Sequence, residues 1–325
     1  MEQRIITAAI VLLGVPLVLV GYILLCERLL RFVPEKRGDR IRPWLWIAPA
    51  VAFLVVFLIY PTFNTLVLSF MDATSRNFVG LDNYLWFFGD PSTIEALRNS
   101  VLWVIFMTAG VVGLGLLIAV LVDRVRYEPV AKTAIFVPLA ISFVAAAIIW
   151  NFMYQYKPPG TPQTGTVNAV IGLVALGPID WIRERTFLID NFALIFIGVW
   201  IWTGFAMVIL SAGLKGISVE LLEAARVDGA NEWQVFRRII FPLLLPTIYV
   251  VATTIIITAL KSFDIVYTLT NGAFGTDVIA RKMFFEMFTT QNFGRASAVA
   301  IVLLVAIIPF MAVNIRRFRE QEAIR

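Results

Sequence analysis

Histidine is absent from this sequence and cysteine occurs once, at Cys26. The first absence removes the side chain that most often serves as metal ligand and general base near neutral pH. The second excludes a disulfide within the chain, and Cys26 reads as inert. Charge is scarce too: 15% of the 325 residues are Asp, Glu, Lys or Arg, against about 25% in ordinary soluble domains. What remains is apolar. Hydrophobic residues make up 60% and aromatic residues 13%, and the mean hydropathy is +0.85. This balance argues against a water-soluble enzyme or a zinc site and for an integral membrane protein. The net charge of +5 is modest. It matters through where the basic residues fall, not as a nucleic-acid signature.

A bilayer core about 30 Å thick needs roughly 20 mostly apolar residues per helix. Seven stretches qualify, near 5–26, 44–70, 99–122, 130–154, 192–214, 244–268 and 296–315. They are continuously apolar, whereas strands of a membrane barrel alternate, so the expected class is all-α and polytopic. The first stretch does not read as a cleavable signal peptide. Its charged flank, Glu27-Arg28 and Arg31, lies mainly on the C-terminal side, and no small-residue cleavage site follows. Basic residues set the orientation. Seventeen of the 27 fall in the segment after the first span, in those after the third and fifth, and in the tail; nine fall on the other side, and Lys261 lies within a span. The richer side belongs in the cytoplasm, which puts the N-terminus outside and the C-terminus inside. Two outward connections are long, about 155–191 with Pro158-Pro159-Gly160 and Gly165-Thr166-Val167-Asn168, and about 269–295 with Thr270-Asn271-Gly272. Their glycines and prolines mark turns, and long loops of this kind are often functional.

The inward segment between the fifth and sixth spans breaks the apolar pattern. Ser218 is a helix cap with Glu220 in the favourable first turn, Gly229 is a stop, and Asn231 with Gln234 forms a second, capping-box-like start. The spacing predicts helix, glycine bend, helix, lying against the inner face of the membrane. Leu221, Leu222 and Ala225 share one face, bordered by Glu220 and Glu223. A short helix held off the bilayer suits docking to a partner protein.

Glu223-Ala224-Ala225, three residues, Gly229, nine residues, then Ile239-x-Phe241-Pro242 resembles the EAA motif of ABC importer permeases. The family usually has Leu where Phe241 stands. Other segments resemble the carbohydrate, maltose-type branch: Phe78-Val79-Gly80-Leu81-Asp82-Asn83-Tyr84, Ala145-Ala146-Ala147-Ile148-Ile149-Trp150, Ala212-Gly213-Leu214, Asp228-Gly229-Ala230, and Lys261-Ser262-Phe263-Asp264 followed by Leu269-Thr270-Asn271-Gly272. The resemblance covers about 44–319, and the extra N-terminal helix is similar to that of α-glucoside permeases.

The resemblance implies a type I ABC importer permease with this layout: an extra N-terminal helix at 1–31, a basic cytoplasmic linker at 32–43, the permease domain at 44–319 with its coupling segment at 218–242, and a cytoplasmic tail at 320–325. It implies a bacterial plasma (inner) membrane location and these partners: a second, different permease subunit, an ATPase dimer, an extracytoplasmic sugar-binding protein and membrane lipid. No Walker A pattern occurs; Gly213-Leu214-Lys215-Gly216 has the wrong spacing. ATP and magnesium therefore belong to the partner ATPase, and this chain needs no cofactor and is not an enzyme. Glu223, Ala224, Ala225, Asp228, Gly229 and Pro242 are the implied coupling residues, with Glu223 bonded to a basic residue of the ATPase. A bare amphipathic surface helix is the plainer reading of the same segment.

Candidate substrate contacts follow from position. Thr254, Thr258, Lys261 and Ser262 fall along one face of the sixth span. Trp200, Trp202 and Thr203 lie inside the fifth, and Trp150, Asn151 and Tyr154 lie near the outer end of the fourth. Sugars need hydroxyl-bonding groups with aromatic surfaces, and the family site uses the corresponding helix regions, so Thr258 and Ser262 come first. Each has a competing structural explanation. A Thr in a membrane helix usually bonds back to its own helix, and Trp150 and Tyr154 read as aromatic-belt residues. Lys261, about 25 Å along its span at 1.5 Å per residue, is an intramembrane charge and so a functional candidate, or it reaches outward to pair with Asp264. Gly110, Gly113 and Gly115 suit close helix packing. Three alternatives stand beside sugar import: a permease for another solute such as glycerol phosphate, which favours more pore cations than Lys261 alone; a membrane-embedded enzyme, disfavoured by the missing histidine; and a secondary transporter, which has no use for 218–242.

Overall fold

The structure, a computed structural model, describes residues 14, 16–18, 20–28, 30, 34–123, 125–174 and 177–322. Among these residues the regular structure is helical, with one isolated bridge between Met71 and Phe78 and no strand. The chain divides into two units, Met1–Thr65 and Leu66–Arg325.

In the first unit the described residues of the first apolar stretch are helical; half of the expected span 5–26 lies outside the described residues. The Tyr22 hydroxyl donates to the Leu45 carbonyl, and Arg42 pairs with Glu27 at 2.8 Å. These contacts join that helix to α1 (Arg40–Leu68), whose apolar window is not buried inside the molecule. A π turn at Val55–Ile59 falls just before Pro61. Proline offers no N–H to the preceding turn, so the ladder widens there. The same pairing recurs at Phe236–Ile240 and Pro242.

The second unit contains α2 (Asp82–Gly89), α3 (Pro91–Val122), α4 (Glu128–Ala140), α5 (Phe143–Met153), α6 (Thr166–Gly172), α7 (Ile189–Lys215), α8 (Val219–Val227), α9 (Glu232–Leu269), α10 (Ile279–Phe284) and α11 (Phe293–Glu322). Among the described residues five helices are long and apolar enough to cross a membrane, and six if α4 and α5 count as one span. The run 130–154, expected as one straight helix, is instead bent by 102° between α4 and α5. Pro138 sits in a 3-10 turn and the Ser142 hydroxyl caps α5, accepting from the Ala145 amide at 3.2 Å. Missing donor and new cap together make the break stable.

α7 is the hub. Two thirds (67%) of its apolar window is buried, against 22% for α3 and for α9, and it packs on α3, α4 and α9. Small residues set these approaches. A Cβ on Gly115 of α3 would lie 2.6 Å from the Ala206 Cβ, and one on Gly204 of α7 would lie 2.5 Å from the Ile135 carbonyl oxygen of α4. Gly110 faces Val199 in the same way, whereas Gly113 has nothing within 4 Å and takes no part in packing. At one end of this bundle Glu128 holds both Lys132 and Lys215, each at 2.6 Å, and so ties α4 to the end of α7.

The opposite end carries the connections 154–188 and 270–292. Asn168 organises the first from within α6. It is 1% exposed, donates to the Gln155 and Ile179 carbonyls at 3.1 and 3.0 Å, and accepts from the Ile179 amide and the Trp181 indole at 3.1 and 3.0 Å. Leucine at 168 strands several buried partners, each costing about 1–3 kcal/mol. Asn168→Leu is therefore expected to make 155–188 readily cleaved by trypsin at Arg183 and Arg185, and protection equal to the unsubstituted protein would contradict this. In the second connection Asp277 pairs with Arg281 at 2.8 Å and Lys282 with Glu286 at 3.6 Å, all four side chains buried. Burial pushes the Asp277 carboxyl above its usual range, and Arg281 opposes that.

Candidate functional site

The segment after α7 forms helix, glycine bend and helix, as its spacing predicts. The Ser218 hydroxyl accepts from the Leu221 amide at 3.4 Å and starts α8. Gly229, at φ +84°, ends it in the left-handed region where glycine is at ease, and the Ala230 amide reaches back to the Ala225 carbonyl at 3.0 Å. Asn231 and Gln234 form the reciprocal capping box that starts α9. Arg226 spans the bend and grips Glu232 with two hydrogen bonds, 2.7 and 3.3 Å. That pairing is the chief reason the Arg226 guanidinium titrates above its ordinary value.

No residue of α8 is buried. Glu223, Ala224 and Asp228 are exposed, Ala225 is half-buried, and Glu223 makes no hydrogen bond or ion pair among the described residues. Val227 is 87% and Trp233 67% exposed, so the outer side of the bend is apolar around its acids. The expected grouping of Leu221 with Leu222 is corrected here. Leu222 turns into a groove of about 560 Å³ beside Leu116, Leu214 and Phe236, whereas Leu221 is exposed. Pro242 lies within α9, two residues past the π turn, not at a helix end.

α9 runs from that bend to the opposite end of the bundle. It breaks at 261–263, between Phe241–Leu260 and Asp264–Leu269, so the sixth span is not one straight helix. The break opens a cavity of about 320 Å³ lined by Met107, Phe143, Trp202, Ile257, Thr258, Lys261, Ser262, Phe263, Asp264 and Ile265. Four expected contacts, Thr258, Ser262, Lys261 and Trp202, therefore meet. Lys261 and Asp264 line the same cavity without forming an ion pair among the described residues. The Trp202 indole N–H is buried and has no acceptor among the described residues. The hydroxyls keep their helical bonds: Thr258 donates to the Thr254 carbonyl at 2.9 Å and Ser262 to the Thr258 carbonyl at a long 3.5 Å. Each retains lone pairs for a solute donor.

Thr254 stays outside the cavity and bonds to the Val250 carbonyl at 2.9 Å. Thr203 likewise bonds back, to Val199 at 2.7 Å. Asn151 and Tyr154 line a different cavity of about 330 Å³ with Phe152, Gln155, Tyr156, Asp180, Ile182, Arg183, Leu269 and Phe274. Trp150 and Tyr154 are not belt residues. They are buried beneath the 154–188 connection among Phe196, Trp200 and Trp181, and the Tyr154 hydroxyl donates to the Ala193 carbonyl at 3.0 Å. Phe143 and the loop residues of the second cavity escaped notice in the sequence because no periodic pattern links them, and Asp264 stood out only as a partner for Lys261. Only the i,i+4 spacings of Asp277 with Arg281 and of Lys282 with Glu286 hinted at the buried ion pairs nearby.

A bundle of apolar spans with an exposed, capped helix at one end and a helix interrupted at a polar cavity fits a membrane transport subunit. The chain matches, over residues 111–318, the family described as binding-protein-dependent transport system inner membrane component. It belongs to that family. It is an ABC importer permease, a multi-pass protein of the inner membrane and a transport subunit, not an enzyme. It is 52% identical over 281 residues to the osmoprotective compounds uptake permease protein GgtC of Synechocystis, covering 86% of this chain and 100% of that one. It is 46% identical over 282 residues to the alpha-glucoside transport system permease protein AglF of Rhizobium meliloti, covering 86% of this chain and 83% of that one. Its fold is similar to a chain of a solved bacterial ABC transporter involved in the import of the acidic polysaccharide alginate, with a TM-score of 0.72 at 23% identity over 87% of this chain and 99% of that one.

Proposed function

We propose that this chain forms half of the pore of an ATP-driven importer of neutral glycosides, α-glucosides foremost, and that α8 is the handle through which a partner ATPase works it. One observation carries this reading. A single element, α9, begins at the Gly229 bend beside α8 and bears the Trp202–Thr258–Lys261–Ser262 cavity at its far, broken end. Displacement of α8 is passed through the Arg226–Glu232 grip into α9 and changes the walls of that cavity. The ATPase dimer binds the nucleotide and magnesium. A second, different permease completes the pore, and an extracytoplasmic binding protein delivers the solute. The Lys and Arg bias supports an outside N-terminus and a cytoplasmic α8 and C-terminus.

The chemistry of the cavity favours a neutral solute. Lys261 and Asp264 both line it, one charge of each sign, and the remaining polar side-chain groups are hydroxyls and an indole N–H. The relative named as an alpha-glucoside permease points the same way. The importer, reconstituted with its ATPase, partner permease and binding protein, is expected to take up labelled maltose. Trehalose should compete, and glycerol phosphate should not; competition by glycerol phosphate alone would overturn the reading. Trp202→Leu removes both the ring face and the unpaired donor and is expected to lower maltose uptake about tenfold. Thr258→Val is expected to lower it only about threefold, because that hydroxyl already bonds to its own helix. Equal uptake by Trp202→Leu and the unsubstituted importer would remove Trp202 from the site.

A further inference from the structure

We infer that the second cavity, where the 154–188 connection meets the turn after α9, is an outer subsite for a ring of the transported glycoside; this rests on the glycoside-import reading above. Its chemistry is that of a polyhydroxyl binder. Asn151 comes from the end of α5, Gln155, Tyr156, Asp180 and Arg183 from the connection, and Phe274 from the turn. The side chains of Asn151 and Tyr156 make no hydrogen bond among the described residues. Gln155 accepts from Thr164 at 2.8 Å through its oxygen, which leaves its amide NH₂ free to donate. Among the described residues the Asp180 carboxylate accepts only the Arg183 backbone amide, at 3.3 Å on one oxygen. The Arg183 guanidinium does not close on Asp180 but stands over the Phe274 ring, 5.5 Å from its centroid. A carboxylate and a guanidinium thus face one cavity without neutralising each other. With both charges present, the site has acceptors and donors for hydroxyls and no net charge to select an ion, and Tyr156 and Phe274 supply ring faces.

Both walls are held in place before a ligand arrives, which lowers the ordering cost of binding. Asn168 fixes the Asp180 side through Ile179 and Trp181. The other wall is a turn in which Asn271, Gly272, Phe274 and Gly275 all have left-handed φ, between 49° and 79°. Backbone this unfavourable persists only where its surroundings over-determine it. Here the Asn99 amide donates to the Gly275 carbonyl at 2.7 Å, Arg185 to the Phe274 carbonyl at 2.7 Å and Arg281 to the Asn271 carbonyl at 2.8 Å. The two cavities follow one another along the same pair of packed elements. Phe143 of α5 lines the inner and Asn151 the outer, about 12 Å apart at the helical rise. Asp264 and Leu269 line them in the same order along the end of α9. That succession suits neighbouring rings of one glycoside.

The test uses the full transporter in which this chain carries Cys26→Ser and Gln155→Cys, labelled by a maleimide with maltose as probe and mannitol as control. With maltose about ten times above its half-effective concentration, labelling is expected to slow about tenfold, because only unoccupied sites react. Mannitol should have no effect, and adding Asp180→Asn should abolish the protection. Proteoliposomes of the Cys26→Ser transporter with Gln155 intact report ATP-driven maltose uptake in parallel. Uptake without protection overturns the outer subsite and leaves the glycoside reading standing. Neither uptake nor protection overturns both. Protection that survives undiminished in Asp180→Asn overturns the assignment of these residues.

Discussion

Replacing Glu223 by lysine is expected to lower ATP-driven uptake at least about 100-fold while the protein still inserts and accumulates in the membrane. Inside the chain this side chain lends only a lesser electrostatic support to Arg226, after that of Glu232. Glu223 is exposed and makes no hydrogen bond or ion pair among the described residues, so its reversal leaves the bundle intact. Its effect falls on what docks against α8. A like-charge juxtaposition in an interface costs several kcal/mol, and each 1.4 kcal/mol is a factor of ten. The checks are transport by proteoliposomes and the membrane level of the variant. Normal uptake would contradict the role of α8 as a handle; loss of the protein from the membrane would contradict the claim that Glu223 is free of structural duties.

The second large effect is expected at Gly204→Val, and it is one of folding. A Cβ there would lie 2.5 Å from the Ile135 carbonyl oxygen and 2.7 Å from the Phe136 Cα. Both neighbours are backbone, so no side chain can swing aside, and α4 must move off α7. Overpacking ordinarily costs about 1–3 kcal/mol, and a clash with backbone puts this variant at or above the top of that range. The substituted protein is expected to be nearly lost from membranes, with a lowered Tm in whatever remains. Gly113→Val supplies the contrast. It sits on α3 among the same small residues, yet nothing lies within 4 Å of its missing Cβ. It should accumulate normally, and equal loss of the two variants would contradict the packing described.

These two glycines mark where the sequence stops being informative. Hydropathy locates Ile189–Lys215 and Arg40–Leu68 to within a few residues, because lipid demands length and greasiness and little else. The α8 segment was legible in detail because caps are local: Ser218, Gly229 and the Asn231–Gln234 pair each act within one turn. The breaks were not, since hydropathy is blind to a lost hydrogen bond. The signals were present in Pro138 and Ser142, but a continuous apolar run masks them. Helical spacing found Thr258, Lys261 and Ser262, which one helix end presents together, but also took in Thr254, which the cavity excludes. It had no means of finding Phe143 opposite them, or of telling Gly113 from Gly115, because those facts belong to the packing of separate helices.

The most direct test of the account is a crosslink. With Cys26→Ser removing the sole native cysteine and Val227→Cys on the exposed outer side of the α8 bend, a short thiol-reactive bridge is introduced into the assembled importer. The account predicts one product joining this chain to its ATPase subunit, in a yield that changes when a non-hydrolysable ATP analogue is added. Efficient labelling of Cys at 227 with no ATPase adduct in either state would contradict it.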